Sequence, residues 1–319
     1  FKQKTAYEIR LSLVGSEMCI RDSPTSMADL VNGLDGLLRE PGGCFEQTST
    51  SNYPNTLILD YLNQTNQTNP QTAARAKSML ERGYARLTSF ECPDSRLRIR
   101  HGFEWFGATD RQHEALTAYG LLQFKDMARV HQVDPQLIKR TQEFLLSRRD
   151  GTGGFRRGPD GHSFGAAPKH TVDAYIVWSL VESDPSDTEK LDLKTEIAAL
   201  KAEALQENSV GGKDPYFVAL TANILLQRGD REAALKLLDR LQEKHTKNGP
   251  VTGAVTSITR SGGRDLEIET TSLALLGWLR ANQGKYATTV KEATKWISQQ
   301  RGGYGGFGST QSTILALKA

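Results

Sequence analysis

Cys44 and Gln47 lie three residues apart in the run Pro41-Gly42-Gly43-Cys44-Phe45-Glu46-Gln47-Thr48, placing a thiol and a carboxamide where they can react with each other. Residues at this spacing share one face of a helix or tight turn, so the two side chains can meet and close a small ring. Loss of ammonia would join the sulfur of Cys44 to the side-chain carbonyl of Gln47 as an internal thioester, an acyl group far more electrophilic than the amide it replaces. Gly42 and Gly43 permit a sharp turn just ahead of the cysteine. A helix is predicted to start at Cys44, where free backbone amides stabilise a thiolate and later make it a good leaving group. An isolated cysteine is more often small apolar filler; the neighbours of Cys44 argue for chemistry instead.

The rest of the chain must supply a scaffold for this pair, and it reads as repeated helices. Segments that are hydrophobic nearly all round fall at about 48–63, 114–127, 172–183, 215–228, 267–281 and 309–319, which predicts six buried helices. More amphipathic stretches at about 71–88, 135–148, 188–206, 230–246 and 286–299, with a shorter one at 26–39, predict six outer helices. Short loops pair each outer helix with the next inner one as an antiparallel hairpin. Six such hairpins closing on themselves give an all-α fold, an α/α toroid of one domain. Nothing in the pattern argues for strands. Asp134-Pro135 and Asp214-Pro215 read as caps with proline in the first turn, and Gly83, Gly229 and Gly284 as helix ends or breaks.

Composition narrows the function classes. At 319 residues, with 38% hydrophobic and 24% charged residues, the chain can bury one large core or two modest ones. A net charge of +3 gives no case for nucleic acid, and no apolar run is long enough to span a bilayer. Cys19, Cys44 and Cys92 cannot form a disulfide framework. His101, His113, His131 and His245 lack metal-site spacing, so no metal is expected, and no cofactor beyond a self-generated thioester. The glycine-rich runs 151–154 and 302–306 lack the lysine and strand context of a phosphate cradle. Two sequons, Asn63-Gln64-Thr65 and Asn66-Gln67-Thr68, fall in a polar stretch ending at Pro70 that reads as an exposed loop, glycosylated or merely solvated.

Gly43-Cys44-Phe45-Glu46-Gln47 resembles the Gly-Cys-x-Glu-Gln signature of the thioester-containing domain of the alpha-2-macroglobulin and complement family. Phe45 replaces the small residue usual in vertebrate members and looks more like the bacterial-type branch. Tyr53-Pro54-Asn55 and the following Leu57 to Leu62 are similar to the helix after the thioester. Gly102-Phe103-Glu104-Trp105-Phe106-Gly107, Ala115 to Tyr119, Gly153-Gly154-Phe155, Ala174 to Trp178 and Gly305 to Gln311 extend the likeness in order. Residues 24–319 are assigned to this domain on that basis. Residues 1–23 do not fit it, and Leu13 to Asp22 is similar to translated adapter sequence. The ends at Phe1 and Ala319 read as those of a fragment of a larger protein.

The resemblance implies an extracellular, periplasmic or cell-surface protein, one that is no enzyme but a single-use trap. A protease cuts a bait region elsewhere, neighbouring macroglobulin-type domains move, and the Gln47 acyl group is captured by a lysine amine of the protease. A complement-like alternative tags surfaces through hydroxyls, using a histidine that first takes the acyl group. His162, 118 residues beyond Cys44, is the candidate and His170 the fallback. Phe45, Tyr53, Phe103, Trp105 and Phe106 are candidates for shielding the thioester from water, each equally readable as a core anchor. Glu46 reads as a structural hydrogen-bonding group at the helix start, with a general base as the alternative. A terpenoid cyclase or prenyltransferase shares the toroidal architecture, but would need an acidic cluster or zinc set that the inner helices lack.

Overall fold

The computed structural model describes residues 35–65, 70–95, 99–107, 111–158, 166–184, 190–302 and 306–319. Among the described residues six helices form an inner ring: α1 (Phe45–Thr65), α3 (Glu114–Met127), α5 (Lys169–Glu182), α8 (Pro215–Gln227), α10 (Gly263–Ala281) and α12 (Thr310–Lys318). Each packs on the next, and α12 returns to α1, so the ring is closed. The composition of these helices demands such surroundings. In α3 every residue except Lys125 is buried, and in α5 every residue after His170, so neither has a face fit for water. Around them lie α2 (Pro70–Ser89), α4 (Pro135–Ser147), α6 (Lys194–Leu205), α9 (Arg231–Lys244) and α11 (Ala287–Gln299). These bury only a stripe, as α4 does with Leu137, Thr141, Gln142, Phe144 and Leu145. A one-turn helix, α7 (Val210–Lys213), precedes α8.

The α/α toroid is therefore the fold expected, and the caps read from the sequence are present: Asp134 accepts from Gln136 N–H and Asp214 from Tyr216 N–H. Other expectations need correcting. A two-stranded antiparallel hairpin, β1 (Glu91–Asp94) and β2 (Ile99–Phe103), precedes α3. The strands are too short to show periodicity, and Arg140 of α4 holds the hairpin by gripping Glu91 at 2.5 and 2.9 Å. The outer helices α2, α4, α9 and α11 lie mainly on the inner helix before them, and only α6 leans more on the one after. Of the helix expected at 26–39, only a 3-10 turn at Asp35–Leu37 falls among the described residues. Gly83 is not at a helix end but inside α2, where a Cβ would lie 2.2 Å from the Asn52 side chain; it lets α2 approach α1 closely. Asn63, Gln64 and Thr65 form the exposed last turn of α1 rather than a loop, and residues 66–68 of the second sequon lie outside the described residues.

A repeated device joins the loops to the inner ring. The backbone N–H of Phe103, Phe155, Val251 and Phe307 is taken by a side chain of the following inner helix: Thr117, Asp173, Thr271 and Thr313, at 2.8–3.1 Å. Each donor residue is buried, so the bond satisfies an amide that water cannot reach. At the other end of the ring, where α12 meets α1 and α3, Asp126 accepts from Lys318 Nζ at 2.5 Å and Tyr53 Oη at 2.6 Å. Burial alone would raise this carboxyl, but Lys318 and Lys125 hold it well below the usual range.

Glu269 of α10 is buried, bonded by Ser261 Oγ at 2.5 Å, with its Oε2 unpartnered among protein atoms. Desolvation lifts its carboxyl from 4.5 to about 7. The folded chain thus holds this proton more tightly than the unfolded chain. The Glu269 penalty is absent well below pH 4.5, grows as pH rises from 4.5 to about 7 and levels off above that. Thermal unfolding of Glu269→Gln is expected to match the unsubstituted protein at pH 4 and to exceed it by about 3 kcal/mol at pH 8. Parallel pH profiles would refute this assignment.

Candidate functional site

Helix α1 begins at Phe45, and its first turn closes through Thr48 N–H donating to Cys44 O at 2.8 Å. Cys44 is therefore the N-cap residue and Gln47 the third helical position. These are the two places that face each other in a capping box, where the third residue reaches back to the N-cap amide. Gln47 does so: its Oε1 accepts from Cys44 N–H at 3.3 Å. With a thiol at the position that serine or threonine ordinarily holds, the common helix-start motif becomes a nucleophile beside a carboxamide. Gly43 makes the fold-back feasible. Its φ of +81° is left-handed, and a Cβ there would sit 2.0 Å from Gln47 Oε1 and 2.9 Å from Gln47 Cδ. Cys44 is half-buried and Gln47 exposed.

The floor of the site is aromatic. Phe45 is fully buried, stacks on Phe103 with ring centroids 4.7 Å apart, and meets Phe90 edge-on at 6.1 Å. Its ring tip lies over Gly120 of α3, where an added Cβ would come within 2.6 Å of Cζ. A larger residue after the cysteine is thus accommodated by a missing side chain on the neighbouring inner helix. Trp105 closes one flank: its carbonyl accepts Phe45 N–H at 2.8 Å, and its Nε1 donates to Glu46 Oε2 at 2.8 Å. The carboxylate of Glu46 binds an indole, not the helix-start amides. The chemistry open to this arrangement is attack of Cys44 sulfur on Gln47 Cδ, with the Cys44 N–H at a helix N-terminus facing the acyl oxygen.

The profile of the A-macroglobulin TED domain matches residues 14–319. The chain belongs to the A-macroglobulin TED domain family. This TED domain is similar to thioester-containing protein 1 allele S1 of Anopheles gambiae, at 25% identity over 317 residues, covering 94% of this chain and 21% of the relative. It is likewise similar to ovostatin of Gallus gallus, at 25% identity over 312 residues, covering 92% of this chain and 20% of that protein. The chain spans about a fifth of the length of these relatives. Both are animal proteins, and they give no support to the bacterial leaning read from Phe45.

The candidates around the pair in this TED domain separate by position. Phe103 and Trp105 lie beside the α1 start, Phe103 beneath Phe45 and Trp105 on its flank. Phe106 is 67% exposed. Tyr53 is not brought to the pair: it lies nine residues along α1, roughly 13 Å further by helical rise, with its hydroxyl on Asp126. His162 lies outside the described residues. His170 is half-buried and meets the ring of Phe217 on α8, the helix opposite α1 in the ring, edge-on at 5.1 Å. Among the described residues no group of histidine, cysteine and carboxylate side chains could hold a metal ion, and no helix is long and apolar enough to cross a membrane. Cys92 is free, and burial pushes its thiol up to about 12, so it competes poorly as a nucleophile.

Sequence reasoning missed Gly120, Thr48 and Arg86. A glycine inside an otherwise apolar inner helix was a visible signal for Gly120. Thr48 Oγ1 donates to the Gly42 and Gly43 carbonyls at 3.1 and 3.4 Å, and its position directly after Gln47 gave a weak hint. Arg86 sits about forty residues away on α2 and carried no signal.

Proposed function

We propose that this TED domain stores an internal thioester between Cys44 and Gln47 and serves an alpha-2-macroglobulin-like inhibitor by covalently trapping attacking proteases. The observation that carries the reading is Gln47 Oε1 folded onto Cys44 N–H over a left-handed Gly43. The name of the mosquito relative, which speaks of a thioester, supports the same bond. In the trapping step a lysine amine attacks Gln47 Cδ, the carbon–nitrogen bond forms and the carbon–sulfur bond breaks. Cys44 departs as thiolate and takes up the proton that the amine loses. Phe45, Phe103 and Trp105 make the dry wall that protects the acyl group, with neighbouring macroglobulin-type domains as further cover. The protein acts outside the cytoplasm, in extracellular, periplasmic or cell-surface space.

The test is the mass of the Cys44–Gln47 peptide from fresh full-length protein, with and without methylamine. One missing ammonia before treatment, and one methylamide with one titratable thiol after it, is the expected result. An unmodified peptide in native protein would sink the reading. Offering glycerol in competition separates the complement-like role: efficient transfer to its hydroxyls points to His162 and a surface-tagging function.

A further inference from the structure

We propose that Arg86 is a positioning residue for acyl transfer at Gln47, acting through the Gly43–Cys44 peptide group; the inference rests on the thioester reading above. Arg86 of α2 donates to the Gly43 carbonyl from Nη2 at 2.6 Å and from Nε at 3.1 Å, and Nε also reaches Thr48 Oγ1 at 3.2 Å. All of its side-chain hydrogen bonds among the described residues go to this turn. Arg82, one turn earlier on α2, shows the contrast: it is committed to Glu40 at 2.7 and 2.8 Å. The Arg86 guanidinium also lies over the Phe90 ring at 5.6 Å, which fixes its plane beside the aromatic floor.

Gly43 O and Cys44 N are the two ends of one peptide plane. Arg86 grips the oxygen end, and Gln47 Oε1 lies 3.3 Å from the nitrogen end. Hydrogen bonds in such a chain polarise one another, so a cation drawing on the carbonyl strengthens the amide as a donor. That amide faces the oxygen on which negative charge builds when Gln47 Cδ becomes tetrahedral, both in ring closure and in attack by an amine. In closure the Cys44 thiolate forms the carbon–sulfur bond and ammonia leaves with one proton from solvent. In aminolysis the carbon–nitrogen bond forms, the carbon–sulfur electrons return to Cys44, and the surplus amine proton ends on the thiolate. Both steps pass through the same oxyanion, and the geometry assigns its donor to the peptide that Arg86 holds.

A tie that merely held the turn in place would, on removal, loosen the wall and speed thioester cleavage; loss of oxyanion support slows it. The experiment measures methylamine-driven thiol release and thioester occupancy in the full-length protein, alongside the thermal midpoint. Arg86→Ala is expected to slow release about tenfold or more, short of the ~100-fold cost of deleting an oxyanion donor outright. Arg86→Lys, which still offers a cationic donor, should recover most of the rate, and Arg86→Gln should stay below it. Added methylguanidinium should partly restore Arg86→Ala. A release rate in Arg86→Ala equal to or faster than that of the unsubstituted protein overturns the inference, and so do equal rates for Lys and Gln should the Ala variant fail to fold. A missing thioester in the unsubstituted protein overturns the thioester reading itself, and this inference with it.

Discussion

Gly43→Ala is expected to abolish thioester formation while leaving a folded domain. Two costs coincide at this position. A side chain at φ +81° is strained by about 1–3 kcal/mol, and its Cβ would occupy the space of Gln47 Oε1, 2.0 Å away. The turn can absorb the first cost, because Thr48 and Arg86 still hold the Gly43 carbonyl. It cannot absorb the second without moving the carboxamide off Cys44 N–H. Displacing a reacting group by about 1 Å commonly costs two orders of magnitude in rate, so closure should fall roughly 100-fold or below detection. Peptide mass gives the readout, with far-ultraviolet circular dichroism as the control. Normal ammonia loss in Gly43→Ala would show that the fold-back seen here is not the reactive geometry. Gly42→Ala is the matched comparison, since a Cβ there meets nothing within 4 Å.

The second large effect is on stability. Phe45→Ala removes a fully buried ring packed against Phe90, Phe103 and Gly120. Truncations of this kind cost about 3–5 kcal/mol, which for a domain of this size lowers the thermal midpoint by roughly 10 °C. The reciprocal substitution, Gly120→Ala, should destabilise for the opposite reason, because its Cβ would lie 2.6 Å from Phe45 Cζ. In the Phe45→Ala background that clash is gone, so Gly120→Ala should cost little or even recover stability by filling the cavity. A double-mutant cycle measures this coupling, and strictly additive effects would show that the two positions do not sense each other. On the proposed thioester reading Phe45 is also part of the wall around the acyl group, so the thioester in Phe45→Ala should hydrolyse faster in the absence of any protease.

The inner helices were legible in the sequence because burial on all sides leaves no polar face to confuse the period. The spans read as 114–127, 215–228 and 267–281 end within four residues of α3, α8 and α10. Asp134-Pro135 and Asp214-Pro215 were equally legible, since capping is a local hydrogen bond between residues two apart. The β1–β2 hairpin was not, because strands of four and five residues are too short to show a period, and their support from α4, including the grip of Arg140 on Glu91, lies 49 residues away. Gly83 was misplaced for a related reason: its role is a packing distance to Asn52 that only the α1–α2 contact defines.

The Cys44–Gln47 pair divides in the same way. Its residue types and their three-residue spacing were set by the chain alone, because ring closure between a helix cap and the third helical position is a local event. What surrounds the pair was settled by tertiary packing. Nothing local to Cys44 indicates that Gly120 makes room for Phe45, that Trp105 rather than a backbone amide takes Glu46, or that Arg86 holds the peptide in front of the thiol. Those partners come from α2, α3 and the segment after β2, and they meet only where these elements pack on α1, since hydrogen bonds and ring contacts between distant residues depend on position in space and leave no periodic trace along the chain.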